Sequence, residues 1–128
     1  MKKLLPILLV TILIAGCNKE KDIDIIDGNI IGQWNHEEKY ATHILNFGTN
    51  NICYYTRIDG PGRGFHSSNS YEINQKERKI YFPSRISTFP APNEENEFDI
   101  VKLTHKKLVL RGIWETDGEI EVTYYKIE

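Results

Sequence analysis

The chain carries little of what catalytic and nucleic-acid-binding proteins usually display. No Gly-x-Ser-x-Gly elbow and no His-Glu-x-x-His helix occurs in its 128 residues, which removes two common hydrolytic frameworks. Its four histidines, His36, His43, His66 and His105, fall in four separate segments without metal-ligand spacing, so neither a metal nor a cofactor is expected. The glycines of Gly60-Pro61-Gly62 precede no helix and make no phosphate-binding Gly-x-Gly-x-x-Gly; their pattern suits a tight loop. Glu94, Glu95 and Glu97 stand in a solvated loop, where a charge run is ordinary soluble surface. Together these absences predict a protein that is not an enzyme. Basic excess is also missing: 16 Lys and Arg face 18 Asp and Glu, which argues against nucleic acid and anionic headgroups as partners. Long helical periodicity is absent too, and the longest apolar run, residues 4–14, contains Pro6 and falls short of the roughly 18 residues that cross a bilayer.

That short apolar run nevertheless has a clear meaning. Lys2 and Lys3 precede it, and Ala15 and Gly16 follow it directly before Cys17, the layout of an export signal. Ile14-Ala15-Gly16-Cys17 resembles the lipobox of bacterial lipoproteins. The resemblance implies cleavage before Cys17 and acylation of its sulfur and amine, hence a membrane partner reached through lipid. Each buried methylene adds about 0.8 kcal/mol to membrane affinity, so several chains on one residue give a lasting anchor. The expected location is the cell envelope, with the outer membrane favoured over the inner. Loss of residues 1–16 leaves 112 residues, enough for one core. Without Lys2 and Lys3, 14 basic residues face 18 acidic ones, a formal charge of −4. Acylation of Cys17 leaves Cys53 without a disulfide partner, and in the run Ile52-Cys53-Tyr54-Tyr55 it reads as a small packing residue.

Residues 17–29, the lipidated cysteine and a polar, aromatic-free segment, are expected to form a flexible tether. Residues 30–128 read differently, as short runs rich in Ile, Val, Tyr, Phe and Thr between turn residues. The spacing predicts eight antiparallel strands over residues 30–36, 42–47, 52–58, 69–74, 79–82, 97–103, 107–114 and 119–127. Most links are short and polar, as hairpins require. Two are long, residues 59–68 and the proline-bearing 83–96. Alternation turns Tyr71, Ile73, Ile80, Phe82, Ile120, Val122 and Tyr124 inward, with Glu72, Lys79, Glu121 and Thr123 outward, while residues 99–103 resolve to neither face. An all-β, up-and-down barrel is the predicted fold, because closure removes the exposed edges.

Gly32-Gln33-Trp34 at the first strand resembles the Gly-x-Trp signature of lipocalins. The remaining chain resembles the short lipocalin-like domains of envelope lipoproteins, through Leu45-Asn46-Phe47, Tyr71-Glu72-Ile73 and Thr123-Tyr124-Tyr125-Lys126. In that family the tryptophan plugs the closed end of the barrel beneath a basic side chain, which implies a Trp34–Lys126 pair here. The resemblance also implies a small hydrophobic or amphipathic ligand, met by the polar members of the inward set, Tyr54, Thr56, Tyr71 and Tyr124. A barrel of this length packed solid is the equal alternative. Strand parity places both long links at the end opposite Trp34, a mouth facing away from the membrane with Arg63, Phe65, His66 and Phe89 on its loops. Two functions follow as expectations: a lipid-anchored carrier or binder of a small molecule, or a protein-interaction module. The latter would be an inhibitor or immunity protein working through the long loops, for example against a lysozyme-like enzyme, and its net acidity would suit a basic target.

Overall fold

A computed structural model describes residues 21–84, 86–114 and 118–127. The export signal and Cys17 lie outside the described residues, as does the last residue, Glu128. Nine strands are formed among the described residues: β1 (Gly32–Glu37), β2 (Ala41–Phe47), β3 (Ile52–Asp59), β4 (Gly64–Ser70), β5 (Glu72–Asn74), β6 (Lys79–Tyr81), β7 (Glu97–Leu103), β8 (Lys107–Trp114) and β9 (Gly118–Ile127). They make one antiparallel sheet in the order β4-β3-β2-β1-β9-β8-β7-β6-β5. Apart from β4 and β5, neighbours in sequence are neighbours in the sheet, and β1 pairs with β9 to curl it into a barrel. Its two edges, β4 and β5, are joined by Tyr71 alone.

The expected eight strands and the observed nine are reconciled at that residue. β4 and β5 are one crossing of the wall, interrupted where the Tyr71 amide turns to the Asn51 carbonyl at 3.0 Å and its hydroxyl donates to the Gly48 carbonyl at 3.0 Å. The predicted strand over residues 69–74 starts too late. Residues 64–68, expected as loop, continue the ladder against β3 from Ile58↔Gly64 to Ile52↔Ser70. On the inward parity of β4 Phe65 is exposed at the mouth end and Ser67 and Asn69 are polar, so alternation of apolar residues leaves little trace there. The unresolved parity of residues 99–103 has a mechanical cause: Ile100 pairs with Leu110 and Lys102 with Val109, leaving Val101 as a bulge that lets Ile100 and Leu103 both point inward.

The axis of the barrel is filled. Trp34, Leu45, Phe47, Cys53, Tyr55, Tyr71, Ile80, Phe82, Phe98, Ile100, Leu108, Leu110, Val122 and Tyr124 are buried in a single cluster. At one end, turns 48–51, 75–78 and 104–106 surround Trp34, whose Nε1 donates to the Ile30 carbonyl at 2.9 Å. Lys126 stands opposite Trp34 in the β1–β9 ladder. Its Nζ lies 4.6 Å from the Trp34 ring centroid and donates to the Ile31 carbonyl at 2.7 Å. Gly32 makes this possible: its φ is +127°, and a Cβ there would meet Lys126 Nζ at 2.7 Å.

The tether expectation needs correction within residues 22–29. Ile26 is fully buried, as is Ile30 next to that segment, and Ile23 packs against the same core. Polar bonds hold the segment across the closed end. The Ile23 amide donates to the Leu103 carbonyl at 2.6 Å, and the Ile26 amide to Gln75 Oε1 at 2.8 Å. Asp22 accepts from the Leu103 amide at 2.9 Å and from Arg78 at 2.7 Å. Burial of Ile23 and Ile26 in a charged stretch repays ordering it, so this segment belongs to the folded body.

Candidate functional site

The opposite end is built from the β1–β2 hairpin, the β3–β4 turn and the long segment between β6 and β7. Closing of the hairpin by the Glu38 amide on the Ala41 carbonyl, at 2.8 Å, sets His36 directly across from His43. Their rings stack with centroids 6.0 Å apart. Phe89 enters from the long segment, 4.6 Å from the His43 ring and 5.6 Å from the His36 ring, and meets Trp114 edge-on at 4.8 Å. Its carbonyl accepts the Tyr124 hydroxyl. Behind it, Ala91 exchanges two backbone bonds with Ile113, at 2.9 and 2.8 Å. Gly112 lies beneath this contact; a Cβ there would collide with the Ala91 carbonyl and sit 2.9 Å from two ring carbons of Pro90.

Beside this aromatic stack the wall opens. β1 and β9 pair only through Tyr125↔Asn35, Lys126↔Trp34 and Ile127↔Gln33, all toward the closed end. Toward the mouth His36 takes over, its Nδ1 donating to the Thr123 carbonyl at 2.9 Å. The parting leaves a cleft of about 870 Å³ lined by aromatic residues His36, Phe89, Trp114 and Tyr125 and by three carboxylates, Glu37, Glu38 and Glu121. A second cleft of about 530 Å³ lies on the other side of Phe89, between the long segment and β2–β3, and includes His43, Tyr55, Arg57 and Asp59. Phe89, Trp114 and Glu38 border both.

Glu38 is the polar centre. Its two oxygens lie 3.4 Å from His36 Nε2 and 3.7 Å from His43 Nε2. His43 is buried, bonded through Nδ1 to the Tyr55 hydroxyl at 2.8 Å, while its Nε2 has no hydrogen-bond partner. Burial lowers its pKa, opposed by Glu38 and reinforced by His36 and Arg57, so the ring is neutral at pH 7. Burial likewise pushes Tyr55 up to about 12, which keeps its hydroxyl protonated. Arg57 pairs with Asp59 at 3.4 Å and covers the Phe65 ring at 5.6 Å.

The structure disperses most of the residues expected to form a site. Tyr54 and Thr56 face outward; Cys53 and Tyr55 are the inward residues of β3, so the expected parity was off by one. The ambiguity is intrinsic to Cys53-Tyr54-Tyr55-Thr56, where either tyrosine can head an alternating set. Thr56 instead bonds His66 Nδ1 on the outer face, at 3.2 Å. Tyr71 and Tyr124 are interior, as expected, yet buried and engaged with Gly48 and Phe89 rather than open to a cavity. Phe65 and His66 belong to strand β4 rather than a mouth loop, and Arg63 stays exposed in the β3–β4 turn. Phe89 does reach the mouth. His36, Glu38, His43 and Trp114 were not singled out as a site, and the hairpin register is the signal that unites the first three. Cys53 is buried with its thiol pushed up to about 12 by desolvation, a packing residue rather than a nucleophile. Among the described residues no group of three His, Cys, Asp or Glu is arranged to hold a metal ion.

Fold and site together define a small, all-β, nearly closed antiparallel barrel, filled along its axis and cleft at one end. A scan against protein-family models found no match to this chain, and searches of curated proteins and of solved structures found none either.

Proposed function

We propose that this protein is a lipid-anchored barrel of the cell envelope, held to the membrane through Cys17, that binds a small amphipathic molecule without covalent chemistry. The binding place is the mouth rather than the axis. One observation carries the reading: an 870 Å³ cleft opens where β1 and β9 part, walled by aromatic rings and furnished with carboxylates and a histidine. That volume and mixture match small-molecule sites, in which apolar walls supply affinity and a few polar groups fix orientation. The likeness to lipocalins in Gly32-Gln33-Trp34 supports the same class of function, with the ligand displaced outward by the packed interior. Native mass spectrometry of the protein released from its own membrane tests this; a bound small molecule is expected, and repeated absence contradicts it. Labelled palmitate tests the anchor: incorporation is expected for the native chain and not for Cys17→Ser.

A protein partner is the second reading. It is favoured by the filled axis and by Tyr40, 74% exposed on the mouth hairpin and tied by its carbonyl to the Gly60 amide of the neighbouring turn. An exposed aromatic on a braced loop is the composition of a contact residue.

A further inference from the structure

We infer that the mouth selects a cationic ligand, an amphipathic amine whose ammonium is held by Glu38 and His43 and whose apolar body lies against Phe89 and Trp114. This rests on the small-molecule reading above and names its ligand class.

Three independent observations converge on it. First, the charge is one-sided. Among the described residues the larger cleft is lined by Glu37, Glu38 and Glu121, the last paired with Arg111 at 2.9 Å, and by no lysine or arginine, while in the smaller cleft Arg57 is paired with Asp59. An anionic ligand would meet repulsion there, and a neutral one would leave the field unused. Second, a buried polar atom faces the site without a partner. His43 borders the smaller cleft, and its buried Nε2 lies beside Glu38, 3.7 Å from Oε1, too far for a direct hydrogen bond. In the tautomer whose Nδ1–H donates to the Tyr55 oxygen, Nε2 is an acceptor, so it and Glu38 offer two acceptors to one donor-rich group. An ammonium has three donors and no acceptor, and fits that need. Third, the rings of Phe89 and Trp114 border both clefts, and aromatic faces attract cations. Burial lowers the His43 pKa, which disfavours a competing positive charge on the ring.

An isosteric series separates the terms: phenethylamine, phenethyl alcohol and 3-phenylpropionate share a ring and differ in the charge of the head. Binding to the full-length protein in lipid nanodiscs is measured by calorimetry, with empty nanodiscs subtracted. The amine is expected to bind at least about tenfold tighter than the alcohol, and the carboxylate weakest of the three. Glu38→Gln is expected to bring the amine down to the level of the alcohol while leaving the alcohol within about twofold. Glu38 is half-exposed on a hairpin, and an unchanged melting temperature certifies that the variant is folded. An alcohol that binds as tightly as the amine overturns the cation inference and leaves the small-molecule reading standing. Absence of binding by all three removes both. Nα-acetyl-lysinamide binding as tightly as phenethylamine overturns the inference in favour of a lysine on a protein partner.

Discussion

The two ends of this barrel use the same ingredients, an aromatic ring and a charged side chain, to opposite effect. At the closed end Trp34 is fully buried, its indole N–H is satisfied, and Lys126 both covers the ring and donates to a carbonyl. Ile26 and Ile30 seal what remains. At the mouth Phe89 is inserted between rings, Glu38 is shared by two histidines, His43 Nε2 lacks a partner, and the β1–β9 ladder stops short. Complete satisfaction marks the end that secures the fold, and incomplete satisfaction marks the end proposed to bind a ligand.

The sharpest way to break this contrast is at Trp34. Trp34→Ala should cost about 3–5 kcal/mol by chemical denaturation, since it empties the closed end. A loss under about 1 kcal/mol would deny that end its structural role. Gly112→Ala tests the mouth instead. Its methyl must displace Ala91 and Pro90, so a loss of about 1–3 kcal/mol is expected, together with chemical-shift changes confined to the Phe89 segment. Lys126→Met should cost about 0.5–2 kcal/mol, the worth of a cation over an indole, and no loss would remove that contact from the account.

The smallest effect is expected from pH. His43 takes up a proton less readily folded than unfolded, because its folded pKa lies below 6.5. Its contribution to stability is therefore complete above about pH 6.5 and is lost as pH falls through the lowered value. Melting curves over that range should decline less steeply for His43→Gln than for the native chain; parallel slopes would contradict the assignment.

Much of the closed end was legible in the sequence, because it depends on local patterns. Gly32-Gln33-Trp34 and the parity of Lys126 within β9 place the two side chains at one end before any contact is seen. Regular alternation in β9 did the same for Val122 and Tyr124. The failures share a cause, which is that burial there is decided by tertiary neighbours. Asp22-Ile23-Asp24-Ile25-Ile26 reads as solvated chain until the Leu103 amide and Arg78 take up Asp22. Gly64-Phe65-His66-Ser67-Ser68 reads as loop because Phe65 is its one apolar side chain, and only the β3 ladder makes it a strand. The mouth was the least legible part. His36 and His43 are seven positions apart, a spacing that suggests nothing until a short hairpin places them opposite each other, and Trp114 joins them from a distant strand.

The central claim, that ligands are taken at the mouth and the axis is closed, can be read from the two tryptophans of the chain. With 5-fluorotryptophan incorporated and the resonances assigned through Trp114→Phe, phenethylamine titrated into the full-length protein should shift the Trp114 fluorine signal and leave that of Trp34 in place. A response at Trp34 with Trp114 unmoved would put the ligand inside the barrel and contradict the account.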